Sequence, residues 1–97
     1  QKLVRSNPRH GHKNYYVGSH AKTIVGWSEA NSRALLDDLL ARATGEEHIL
    51  THAWLPGEVV IWDNRCLLHR GSGYDADTQR RLMRQTRVTG ACNTLKE

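Results

Sequence analysis

The chain lacks several things that would decide its class at once. No apolar run approaches the roughly 20 residues a membrane-spanning helix needs. The first sixteen residues hold no apolar core of the kind a secretory signal carries. The two cysteines, Cys66 and Cys92, are too few for a disulfide framework and do not form a metal-ligand spacing. Repeats and low-complexity segments are absent, and no initiating Met is present. The apolar share of 38% is low for a self-sufficient core, and small chains bury a smaller fraction of their surface than large ones. The expectation is one domain's length or less, read as part of something longer, with a reducing cytoplasm as its setting and Cys66 as a small buried hydrophobe.

What is plentiful is arginine. Of fourteen Lys and Arg, ten are Arg, and the net charge is +4. A planar guanidinium fork grips carboxylate or phosphate in a way a lysine point charge does not. Such an excess points to anionic small molecules or to nucleic acid. A nucleic-acid surface needs its cations on one face with stacking aromatics between them. Here the cations are scattered, so that class is the weaker of the two.

The pattern of residues predicts short strands and one helix. Leu3-Val4-Arg5 and Asn14-Tyr15-Tyr16-Val17 read as a hairpin around the turn formers Asn7-Pro8 and Gly11. Residues 23–25 read as a short extended piece. Ser28 is a helix N-cap with Glu29 in the first turn. Leu35, Leu36, Leu39, Leu40 and Ala43 share one helical face, opposite Arg33, Asp37, Asp38 and Arg42. Gly45 is expected to end that helix. Residues 49–54 and 59–62 read as strands around a Leu55-Pro56-Gly57-Glu58 turn. Asp63-Asn64-Arg65 makes a second polar corner, residues 66–69 and 81–89 read as further strands, and residues 71–78 as a loop. Short strands with a single helix predict a mainly β, α+β fold of antiparallel sandwich or jelly-roll type rather than a βαβ fold.

Two side chains carry the chemistry. His69, at the end of an apolar strand, could ligate a metal through a neutral ring nitrogen, although a histidine on an apolar strand is more often a core or rim residue. In a strand from Arg81, alternation groups Arg81, Met83, Gln85 and Arg87 on one face and Leu82, Arg84, Thr86 and Val88 on the other. Neither face is cleanly apolar. An arginine turned inward needs a partner, either an internal acid or a ligand carboxylate.

Trp62-Asp63-Asn64-Arg65, His69 and Arg80-Arg81-Leu82-Met83 together resemble the C-terminal segment of the iron(II)- and 2-oxoglutarate-dependent dioxygenases of the taurine and 2,4-dichlorophenoxyacetate dioxygenase family. Upstream, Asn7-Pro8, Gly11-His12-Lys13, residues 16–21, Ile24-Val25-Gly26 and the Leu-rich helix agree in the same order. The resemblance covers nearly the whole chain. It implies that residues 1–97 are the C-terminal portion of a single double-stranded β-helix (jelly-roll) domain. It also implies Fe(II) held by two histidines and one carboxylate, with open positions for 2-oxoglutarate and dioxygen.

Carried over residue by residue, His69 matches the distal histidine of that triad. Arg81 matches the arginine that clamps the far carboxylate of 2-oxoglutarate. Some relatives place this arginine eleven residues after the histidine, which is Arg80; alignment on Arg-Arg-Leu-Met favours Arg81. Where some relatives have a substrate-gripping arginine this chain has Gln85, with Arg84 or Arg87 as substitutes. His20 is a loop residue near substrate or simply exposed, and Asp63 and Asn64 are corner residues that support the site. The implied substrate is a small organic acid, a sulfonate or an aryloxyalkanoate.

One departure is large. The family's other two ligands come from a His-x-Asp or His-x-Glu motif. None of His10, His12, His20, His48, His52 and His69 has an acid two residues on. The expectation is therefore a chain that is inactive alone. Its exposed strand edges would favour self-association, as in a non-catalytic remnant.

Overall fold

A computed structural model of the chain describes residues 1–7 and 10–90. Pro8 and Arg9 of the predicted first turn, and Cys92, lie outside the described residues. The described chain forms a two-stranded antiparallel sheet, one α-helix and one 3-10 turn, a small α+β arrangement.

Strand β1 (Val4–Ser6) pairs with β2 (Lys13–Tyr15) in the register Val4 with Tyr15, Arg5 with Asn14 and Ser6 with Lys13. The hairpin forms because its connection closes itself. The Asn7 N–H donates to the His12 carbonyl at 2.8 Å, and the Gly11 N–H donates to the Asn7 carbonyl at 2.8 Å. Gly11 takes φ +67, a left-handed conformation that glycine adopts without steric cost. Arg5 points inward, buried, with its guanidinium 4.8 Å from the centre of the Tyr16 ring.

Helix α1 (Glu29–Ala43) begins where the sequence predicts. The Ser28 hydroxyl accepts the Asn31 N–H at 3.2 Å, satisfying one of the donors a helix start leaves open. The i,i+4 pairs Arg33–Asp37 (3.8 Å) and Asp38–Arg42 (2.9 Å) lie on the exposed face and contribute only a few tenths of a kcal/mol each. The end differs in cause from the expectation. Gly45 has φ −59, so no left-handed cap forms there. Instead Thr44 closes the helix: its N–H and its hydroxyl both donate to the Leu40 carbonyl, at 3.1 and 2.9 Å. A 3-10 turn (Glu46–His48) follows.

The segment before the helix is tied to it by a half-buried hydrogen bond. Ser32, fully buried, accepts the Ile24 N–H on its hydroxyl at 3.0 Å. Residues 23–25, expected as a short extended strand, are therefore a docked loop rather than part of a ladder.

The second half departs most from the sequence reading. The turn at 55–58 is present: Gly57 has φ +86, and the Glu58 N–H donates to the Leu55 carbonyl at 3.2 Å, the geometry Pro-Gly favours. The corner at 63–66 is present too. Yet residues 49–54, 59–62, 66–69 and 81–89 form no strands. A strand is defined by ladder hydrogen bonds, and these runs meet no partner backbone within the described residues. Their apolar side chains stay in water: Leu50, Ile61 and Val88 are 93%, 90% and 99% exposed. Cys66, expected to be buried, is exposed for the same reason.

Among the described residues the buried apolar core reduces to Val17 and Leu36. The apolar helix face is only half covered, with Leu35, Leu39, Leu40 and Ala43 partly accessible. The chain exposes 9258 Å², about 3,600 Å² more than the roughly 5,600 Å² expected of a folded monomer of its mass. Its radius of gyration is 16.5 Å, against about 12.5 Å for a compact domain of this length. An open groove of about 540 Å³ lies between the hairpin (Val4, Tyr15), the helix end (Ala43) and residues 64–68.

Candidate functional site

The best-built feature near the predicted site residues is the corner at 62–66. The Arg65 side chain grips Asp63 with both edges of its fork, Nε to Oδ1 at 2.9 Å and Nη2 to Oδ2 at 2.7 Å. The Arg65 N–H adds a third bond to Oδ1 at 2.9 Å. These donors hold the Asp63 carboxyl at about 2, below its ordinary 3.8, against a small opposing effect of burial. The Asn14 amide donates to the Arg65 carbonyl at 2.7 Å, which anchors the corner to β2.

That anchoring reaches His69 through Trp62. The indole N–H of Trp62 donates to Asn64 Oδ1 at 2.8 Å. The Trp62 ring then packs against the His69 imidazole, with centroids 4.9 Å apart and planes tilted by 54°. His69 itself is exposed.

The arginines lie beyond a loop that folds on itself. Asp75 accepts the Asp77 N–H on Oδ1 at 3.1 Å and the Thr78 hydroxyl on Oδ2, and its carbonyl accepts the Gln79 N–H at 2.9 Å. The Thr78 and Asp77 donors favour the ionised carboxylate and hold the Asp75 carboxyl below its ordinary range. After this turn the Arg81 guanidinium sits 5.6 Å from the centre of the Tyr74 ring. Arg80, Arg84, Gln85 and Arg87 are exposed. His20 lies in an exposed turn whose Ala21 N–H donates to the Gly18 carbonyl at 3.0 Å.

His69 and Arg81 thus each lie against an aromatic ring, but against different ones. Tyr74 carries no motif of its own; the sequence marks it only as one of the aromatics Tyr15, Tyr16, Trp27 and Tyr74 that a nucleic-acid surface would stack, with no role against Arg81. Trp62 was visible as part of the Trp-Asp-Asn-Arg run, without its role against His69. Alternation along 81–88 groups no side chains here, because the segment is not a strand.

A metal ion does not fit the described residues as they stand. No group of three or more His, Cys, Asp or Glu that could hold one occurs among them. The exposed Arg81 guanidinium offers charge-assisted donors of the kind that grip a carboxylate.

Comparison with known proteins gives the lineage. Residues 1–86 match the family described as Taurine catabolism dioxygenase TauD, TfdA family, and the chain belongs to that family. It is 43% identical over 89 residues to the alpha-ketoglutarate-dependent 2,4-dichlorophenoxyacetate dioxygenase of Cupriavidus pinatubonensis, covering 92% of this chain and 31% of that protein. It is 42% identical over 88 residues to the (S)-phenoxypropionate/alpha-ketoglutarate-dioxygenase of Sphingobium herbicidovorans, covering 91% and 30%. An alkylsulfatase of Acinetobacter baylyi is 33% identical over 92 residues, covering 95% and 29%. The chain spans less than a third of the length of these relatives. No solved structure matches. Among the described residues no helix is long and apolar enough to cross a membrane.

Proposed function

We propose that residues 1–97 form the C-terminal wall of the jelly roll of an Fe(II)- and 2-oxoglutarate-dependent dioxygenase that hydroxylates a small organic acid or sulfonate. The family match over residues 1–86 carries this reading. On it, Arg81 binds the far carboxylate of 2-oxoglutarate and His69 is one of three metal ligands. Bound iron with 2-oxoglutarate supplies the oxidising chemistry. This chain's own residues contribute orientation: Asn64 and Trp62 hold the His69 ring in place, and Arg81 fixes one end of the co-substrate. Gln85 is a neutral amide, so recognition of the substrate's acidic group falls to Arg84 or Arg87. The remaining two ligands come from a His-x-Asp or His-x-Glu segment outside residues 1–97, and the chain alone is inactive.

An anaerobic Fe(II) titration tests this. The 97-residue chain takes up no stoichiometric Fe(II), whereas the full-length protein with its His-x-Asp segment takes up one equivalent and loses it in His69→Ala. Tight, stoichiometric Fe(II) binding by the 97-residue chain would sink the divided-site reading.

The exposed apolar runs favour a second reading for the isolated polypeptide. Separated from its partner wall, it covers Leu50, Ile61 and Val88 by pairing with another copy. Sedimentation velocity separates the outcomes: a concentration-dependent dimer or larger species supports self-association, and a monomer across the micromolar range contradicts it.

A further inference from the structure

We infer that Tyr74 is the positioning residue that makes Arg81, and not the adjacent Arg80, the arginine for the co-substrate carboxylate. The inference rests on the dioxygenase reading above and deepens it.

Spacing from His69 allows either arginine, and only the alignment on Arg-Arg-Leu-Met favours Arg81. Their surroundings differ. Asp75 organises the loop through three bonds, from the Asp77 N–H, the Thr78 hydroxyl and the Gln79 N–H. This turn reverses the chain between Tyr74, immediately before it, and Arg81, two residues after Gln79. The reversal lays the Arg81 guanidinium 5.6 Å from the Tyr74 ring centre.

A guanidinium within about 6 Å of a ring centroid is attracted to the ring's negative face. Its N–H donors lie in its own plane and remain available at the edge for a two-pronged grip on a carboxylate. Holding the fork before the ligand arrives reduces the rotamer freedom lost on binding. Tyr74 thus acts on affinity for the dianion, through Arg81, without touching the reacting atoms. The Asp75–Thr78 turn is the brace that keeps ring and guanidinium together.

The test uses the full-length protein and 2-oxoglutarate as the probe, with the dissociation constant measured by equilibrium dialysis alongside steady-state rates. Tyr74→Leu weakens 2-oxoglutarate binding roughly two- to fivefold, as loss of an exposed cation–π contact implies. The change falls on KM for 2-oxoglutarate rather than on kcat. Tyr74→Phe, which keeps the ring, stays within twofold of the parent. In the parent and Tyr74→Phe, but not in Tyr74→Leu, the Arg81 Nε–H resonance carries a ring-current shift; its absence in the parent overturns the proposal even if the Leu variant misfolds. Two further outcomes separate the layers. If Arg81→Gln abolishes binding while Tyr74→Leu matches the parent, the Tyr74 proposal fails and the dioxygenase reading stands. If Arg80→Gln costs as much as or more than Arg81→Gln, or Arg81→Gln costs nothing, the assignment of Arg81 itself fails and Tyr74 with it.

Discussion

Residues 1–48 and 49–90 are built from similar material and end differently. The first region completes its hydrogen bonds nearby. Its hairpin closes across a short connection, its helix is capped at both ends by hydroxyls, and its loop is pinned by Ser32. The second region is richer in β-forming residues, yet only its turns form. The turn at 55–58 and the corner at 63–66 need partners two to four residues away. The apolar runs between them need a second backbone alongside and find none among the described residues. Local interactions are fixed by the chain that contains them, whereas a sheet is fixed only by all of its strands.

This contrast yields predictions that differ by region. The largest concerns Arg81 in the full-length protein. Arg81→Gln removes a charge-assisted, two-pronged contact, and affinity for 2-oxoglutarate falls on the order of a hundredfold, as two such hydrogen bonds imply; a change under fivefold by equilibrium dialysis would count against the assignment. Next is Ile61→Ala, which distinguishes the two settings. In the 97-residue chain, where Ile61 is 90% exposed, it shifts stability by less than about 0.5 kcal/mol. In the full-length protein it costs about 2–4 kcal/mol, the usual toll of truncating a buried isoleucine. Urea unfolding of both forms measures the difference, and equal effects would erase the proposed burial.

Within the first region, Ser32→Ala leaves the half-buried Ile24 N–H without its acceptor and costs about 1–2 kcal/mol. The Ile24 amide then exchanges with solvent faster than in the parent. Ser28→Ala removes the helix cap and costs about 1 kcal/mol, visible as lost helical circular dichroism. The smallest effect is that of pH on the corner. Asp63 titrates at about 2 when folded, below 3.8 in a free chain. Its contribution is therefore complete above the free-chain value and is lost as pH falls from 3.8 through about 2. The Arg65 Nε–H resonance follows this loss, and an unchanged signal down to pH 2 would contradict the Asp63–Arg65 grip.

How much the sequence reveals follows the same division. The hairpin, the Ser28 cap, the Pro56-Gly57 turn and the Asp63 corner were legible because each depends on residues close in the chain. The helix end was legible in place but not in cause, since Thr44 rather than Gly45 satisfies the last carbonyls. The runs at 59–62 and 81–89 were legible as β-forming composition, but composition supplies no hydrogen-bond partner, and neither run forms a strand. Among the candidate site residues, His69 and Arg81 stood out through their motif. Tyr74 did not, because its closeness to Arg81 comes from the Asp75 turn and not from any periodicity. The family membership was legible from the Trp62 to Met83 run, and the match over residues 1–86 agrees with it.

The central claim is that residues 49–90 are one wall of a sheet whose other wall is supplied from outside this chain. Hydrogen exchange at the backbone amides of residues 59–62 and 81–88, compared between the 97-residue chain under conditions where it is monomeric and the full-length protein, tests it most directly. The account predicts near-unprotected exchange in the former and strong protection in the latter, with the amides of β1, β2 and α1 changing less. Equal protection of 59–62 and 81–88 in both, or none in either, would contradict it.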